Sequence, residues 1–95
     1  MLEQLITKLK SNQAFLSVEV SPSLSSTIGR GVIDELESLK IADCFVCTDS
    51  PLARLKPSSI LSSIKLQNAL KKPLICTLSM RDRNSIALCG DILGA

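Results

Sequence analysis

Three short apolar runs constrain this chain more than any other feature: Phe15-Leu-Ser-Val-Glu-Val20, Asp43-Cys-Phe-Val-Cys-Thr48 and Pro73-Leu-Ile-Cys-Thr-Leu78. Each has the length of a strand, and turn-forming residues follow the first two, Ser21-Pro22 and Asp49-Ser-Pro51. The intervals between them are too long for hairpins. Parallel strands joined by right-handed helical crossovers are therefore expected, which is an α/β pattern.

The intervening segments carry helical periodicity. Leu2, Leu5, Ile6 and Leu9 mark an amphipathic helix ahead of the first strand. Ser26 or Thr27 is placed to cap a second helix with apolar positions Val32, Ile33, Leu36 and Leu39. Pro57 suits the first turn of a third helix carrying Ile60, Leu61, Ile64 and Leu70, which Lys71 and Lys72 close favourably at its negative end. Asp82 or Asn84 is placed to cap a last helix with Ile86, Leu88, Ile92 and Leu93.

Three parallel strands covered by helices on one side leave the other sheet face and two edges open. Doubly wound sheets use more strands, and a closed barrel needs eight. The chain reaches Ile92-Leu-Gly-Ala95 in the middle of a helical pattern, so it is expected to be the N-terminal part of a longer protein. Apolar residues make up 45% and charged residues 21%, a folded-domain composition, but two Phe and no Trp or Tyr leave few large core anchors.

Charge and composition exclude several classes. Eleven basic against nine acidic residues give +2, without the clustered basic face of a nucleic-acid binder. There is no run of 18 apolar residues, and Met1-Leu2-Glu3-Gln4 does not open a signal peptide, so no membrane partner and a cytoplasmic location are expected. In that compartment Cys44, Cys47, Cys76 and Cys89 are expected as free thiols. Cys44 and Cys47 are three apart on a strand and point to opposite faces, which argues against a shared metal or redox bond.

Without His, neither a Ser-His-Asp or Cys-His set nor the usual zinc ligand sets can be completed within these residues. There is no P-loop or G-x-G-x-x-G, and Gly29-Arg-Gly31 reads as a loop. Arg81-Asp-Arg83, between a strand end and a helix start, reads as an internal ion pair with Asp82 capping the helix.

The informative polar residues lie at the carboxyl ends of the strands, where parallel α/β folds gather their sites. In the first strand Leu16, Val18 and Val20 share one face, and Phe15, Ser17 and Glu19 the other. A carboxylate buried there as a bare ion costs several kcal/mol, on the order of 5, unless it finds a partner or binds a proton. A carboxyl group held protonated is what a general acid requires. Thr48 and Thr77 stand near the ends of the second and third strands and complete a polar rim, although each taken alone is an ordinary β-branched strand residue.

The ordered segments Ser17-Val-Glu-Val-Ser-Pro22, Phe45-Val-Cys-Thr-Asp-Ser-Pro51 and Pro73-Leu-Ile-Cys-Thr-Leu-Ser-Met-Arg-Asp-Arg-Asn84 resemble the first three strand and loop segments of the methylenetetrahydrofolate reductase family. The resemblance implies the N-terminal portion of a (β/α)8 TIM barrel, with three β/α units behind a short helix, holding FAD. It implies reduction of 5,10-methylenetetrahydrofolate to 5-methyltetrahydrofolate by NADH or NADPH, in one-carbon metabolism and methionine synthesis.

Carried over by position, Glu19 corresponds to the family's acid that protonates the folate N10. Thr48, Asp49, Pro51 and Thr77 fall on flavin-contacting positions, Asp49 and Pro51 mainly through backbone. Asp49 and Ser50 replace an aromatic residue and a Gly, Thr77 replaces a His, and Ser21-Pro-Ser23 replaces a Phe-Pro-Pro. Cys89-Gly-Asp91 looks like the family's Arg-Gly-Asp but follows the third strand too closely to be its equivalent. The resemblance implies a folate substrate and leaves homo-oligomerisation open. An isolated 95-residue segment is expected to be inactive. Two other readings remain, the reductase half of a homocysteine methyltransferase fusion and a noncatalytic α/β module that completes its sheet with a partner chain.

Overall fold

The computed structural model describes residues 1–95. Its elements run in the order α1 (Leu2–Lys10), β1 (Ser17–Val20), α2 (Arg30–Glu37), β2 (Cys44–Cys47), α3 (Ser59–Leu70), β3 (Leu74–Cys76) and α4 (Ser85–Gly94), with a 3-10 turn at Pro51–Ala53. The strands form one parallel sheet in the order β1-β2-β3, so the expected α/β pattern with an N-terminal helix and three strand-helix units is present. No helix is long and apolar enough to cross a membrane.

Register decides which residues share a face. Val18 pairs with Phe45 and Phe45 with Leu74, one position away from the row of Glu19, Val46 and Ile75. Because side chains alternate along a strand, the first row and the second point to opposite sides of the sheet. The core lies on the Val18 side: Val20, Leu36, Phe45, Leu66 and Leu70 are buried together, with Ile28, Ile33 and Leu74 packed against them. Each such large apolar side chain contributes about 1.5–3 kcal/mol when fully buried. The Glu19 side carries no helix, as the strand count implied.

Helix ends differ in places from the sequence expectation. The cap of α2 is Gly29, with no side-chain hydrogen bond, rather than Ser26 or Thr27. Residues 21–28 remain nonhelical, and the Lys65 ammonium donates to the Ser26 carbonyl (3.2 Å), engaging that carbonyl outside the helix. Ser58 caps α3 by accepting from the Leu61 N–H (3.3 Å), so Pro57 precedes the cap instead of occupying the first turn. Lys71 ends α3 in the left-handed conformation.

The largest departure concerns the face of α3. Leu61 and Ile64 were expected inside but are 60% and 53% exposed, whereas Ser59, Ser62, Ser63, Leu66 and Leu70 are buried. These five positions form their own helical stripe, since residues three and four apart share a face. Small serines at its start let the helix approach the ends of β2 and β3. One of them is tied directly, the Ser59 hydroxyl donating to the Thr77 carbonyl at 2.7 Å.

At the amino end of the sheet, Asp43 joins three segments. The Lys8 ammonium contacts its Oδ1 at 2.7 Å and the Leu16 N–H donates to its Oδ2 at 2.8 Å. The Lys8 hydrogen bond, followed by that from Leu16, holds its carboxyl below the usual carboxylate range.

Candidate functional site at the carboxyl ends of the strands

The ladder continues one residue past β2 and β3. The Thr48 N–H donates to the Val20 carbonyl (3.0 Å) and the Thr77 N–H to the Cys47 carbonyl (3.1 Å). Thr48 and Thr77 therefore keep the strand alternation and stand two residues beyond Val46 and Ile75, on the face that carries Glu19. The three polar residues expected at one rim share one side of the sheet, at its carboxyl end.

Their environments differ. Glu19 is exposed and enters none of the ion pairs. The burial anticipated for an inward carboxylate is absent at this position, although Cys44 on the same face is fully buried. Thr48 has its Oγ1 buried without a hydrogen-bond partner. A buried hydroxyl left unpaired costs about 1–3 kcal/mol. The Thr77 hydroxyl donates to the Cys47 carbonyl (2.9 Å), leaving its lone pairs free to accept.

Behind the rim, the loops after β2 and β3 are locked together by Asp49 and Arg83. Two guanidinium nitrogens of Arg83 reach the two carboxylate oxygens of Asp49, at 2.5 and 3.3 Å, and the Ser79 N–H donates to the same carboxylate at 2.7 Å. Arg83 also donates to the Ser79 carbonyl (2.6 Å) and to Asp91 (3.1 Å). The Asp49 side chain is 7% exposed. The Arg83 hydrogen bond holds its carboxyl below the ordinary range, and the same contact raises the Arg83 guanidinium.

Asp49 was placed at a flavin-contacting position acting mainly through backbone, and its carboxylate is fully engaged within the protein. The main chain beside it is unusual. Ser50 has φ 42° and ψ 58°, and Leu52 and Ala53 also have positive φ. Glycine is the residue that reaches this conformation without steric cost. Pro51, the other expected contact, begins the 3-10 turn.

Arg81-Asp-Arg83 divides its roles. Arg81 pairs with Asp82 (3.1 Å), as the sequence suggested, and donates to the Ser50 carbonyl (2.8 Å). The cap of α4 is Asn84, whose Oδ1 accepts from the Ala87 N–H at 2.8 Å, and not Asp82. Sequence reasoning missed the Asp49–Arg83 bridge and the contribution of Asp91. Partners 34 positions apart carry no local pattern, and only the adjacency of the two loops at one sheet end could have indicated them.

The arrangement can present an accessible carboxyl group at Glu19 and an accepting hydroxyl at Thr77, with the Thr48 hydroxyl buried and unpartnered between them. No group of His, Cys, Asp and Glu suited to holding a metal ion is present. Comparison with protein-family models, with curated proteins and with solved structures finds no match for this chain.

Proposed function

We propose that this chain forms the first three β/α units of a (β/α)8 barrel acting as a methylenetetrahydrofolate reductase. The observation that carries this reading is the common placement of Glu19, Thr48 and Thr77, with the Thr48 hydroxyl buried and unpartnered. In a barrel the helix-free sheet face is the interior, and its carboxyl end is the active-site mouth.

On this reading FAD, when bound, supplies the hydride chemistry, accepting from NADH or NADPH and delivering to the folate. Thr48 and Thr77 would hold polar atoms of the flavin edge, and the backbone around Asp49 and Pro51 would line it. The Arg83 bridge fixes the position of that backbone. Glu19 would lend a proton to the folate N10, which opens the five-membered ring and leaves an electrophilic carbon for hydride. Further strands, flavin and folate over that face would exclude water from the space around Glu19.

The test uses the barrel-length protein containing these residues. Copurified flavin absorbance is expected, and Glu19→Gln is expected to spare flavin reduction by the nicotinamide while abolishing folate reduction. Full folate turnover in that variant removes Glu19 from the mechanism. A colourless, stable homo-oligomer instead favours the module that completes its sheet with a partner chain, a reading supported by the two unpaired edges and by exposed Ile86, Ile92 and Leu93 on α4.

A further inference from the structure

Cys47 and Cys76 are paired in register on adjacent parallel strands. Residues so paired project to the same side of a sheet, here the helix-covered side shared with Phe45 and Leu74. Neighbouring strands lie about 4.7–4.9 Å apart, inside the 4.4–6.8 Å range of Cα separations that disulfides span. Both thiols are free. The other cysteines are placed differently: Cys44 is three residues from Cys47 and faces the opposite side, and Cys89 is exposed on α4.

We propose that Cys47 and Cys76 form a peroxide-responsive dithiol that closes to an intrachain disulfide across β2 and β3. Cys47 is fully buried and Cys76 half-buried, which divides the roles. Burial pushes the Cys47 thiol up and keeps it protonated. Cys76, the one that solvent reaches, attacks the peroxide first. Its thiolate sulfur bonds one peroxide oxygen, the O–O bond breaks, and the departing hydroxide takes a proton to become water, leaving a sulfenic acid. The Cys47 sulfur then attacks that sulfenyl sulfur. The S–S bond forms, the S–O bond breaks, and the hydroxide leaves with the Cys47 proton as a second water. Two thiols lose two electrons and two protons, and one peroxide becomes two waters.

The consequence is local. Thr48 and Thr77 follow the two cysteines directly, and the Thr77 N–H and hydroxyl both bond the Cys47 carbonyl (3.1 and 2.9 Å). Closing the bridge cross-links covalently the two strand ends that carry this rim. The pairing is a property of the sheet register and holds whether or not the rim receives flavin.

The experiment treats the full chain with a slight excess of hydrogen peroxide, alkylates remaining thiols with iodoacetamide under denaturing conditions and maps the tryptic peptides. Expected is a reducible link between peptide 41–54 and peptide 72–81, persisting in Cys44→Ser and Cys89→Ser variants and lost in Cys76→Ser. Because Cys44→Ser alters a buried position, fragmentation of the wild-type linked peptide gives an independent assignment to Cys47. A dimedone adduct that persists on Cys76 while Cys47 alkylates fully overturns the proposal, as does a link that uses Cys44 or Cys89.

Discussion

Arg83 grips Asp49 with two guanidinium nitrogens, so the loop after β3 is fastened to the loop after β2 at the carboxyl end of the sheet. The pair is largely withdrawn from solvent, with side-chain exposures of 19% and 7%. It also receives the Ser79 N–H on Asp49 and reaches Asp91 from Arg83, so the two loops and α4 meet in one charge network. The backbone proposed to line a flavin is positioned by this bridge.

Fork geometry makes the bridge sensitive to a change that keeps charge. Lysine offers a single point charge and cannot engage both carboxylate oxygens and Asp91 together. Arg83→Lys is expected to cost about 1–2 kcal/mol, and Asp49→Ala, which leaves the guanidinium and the Ser79 N–H without their acceptor, about 2–3 kcal/mol. Urea unfolding at neutral pH measures both. A loss below 0.5 kcal/mol, roughly the value of an exposed pair, would show that the network contributes no more than a surface contact.

The acid limb of stability follows from two carboxylates. Asp43, drawn down by Lys8, and Asp49, drawn down by Arg83, both have native pKa values below the ordinary one. The native state therefore holds fewer protons than the unfolded chain between the two values, and stability falls as pH falls there. Both contributions are complete above the unfolded carboxylate pKa, about 3.9, and disappear as pH drops through the lower native values. Unfolding free energy is expected to be level from pH 7 to about 5 and to decline below about 4. Asp49→Asn should flatten that decline, and an unchanged acid limb would remove Asp49 as its source.

Ser50 offers a test of opposite sign. A non-glycine residue in the left-handed region costs roughly 1–2 kcal/mol, and its φ of 42° lies in that region. Glycine removes the steric cost but adds unfolded-chain entropy of about 0.5–1 kcal/mol. Ser50→Gly is thus expected to stabilise by about 0.5 kcal/mol, while Ser50→Val, β-branched, should destabilise by more than 1 kcal/mol. Thermal denaturation of the two variants beside the parent chain decides, and a destabilised glycine variant would contradict the strain.

What was legible in the sequence is what repeats with a period. The three apolar runs gave strands at 17–20, 44–47 and 74–76, and alternation placed Glu19 opposite Val18 and Val20. Periodicity failed where two helical stripes competed. On α3 the eye follows Leu61 and Ile64, yet polar Ser59, Ser62 and Ser63 continue the stripe of Leu66 and Leu70, and hydropathy does not reveal that small residues are wanted there. Long-range pairing was equally hidden, since nothing near Asp49 announces Arg83.

The orientation of α3 yields a direct contrast between two leucines of one helix. Leu66 is 1% exposed and sits against Val20, Phe45 and Leu70, whereas Leu61 looks into a shallow cleft beside Ile28 and Val32. Truncating a buried leucine removes its transfer energy and leaves a cavity, so Leu66→Ala is expected to cost about 2–5 kcal/mol. At Leu61 water already reaches most of the side chain, and Leu61→Ala is expected to cost less than about 1 kcal/mol. In a chain with so small a core, the first change should lower the unfolding midpoint sharply and the second should barely move it. Equal losses at both positions would mean that the helix packs through the leucine stripe, with its serines turned away from the sheet.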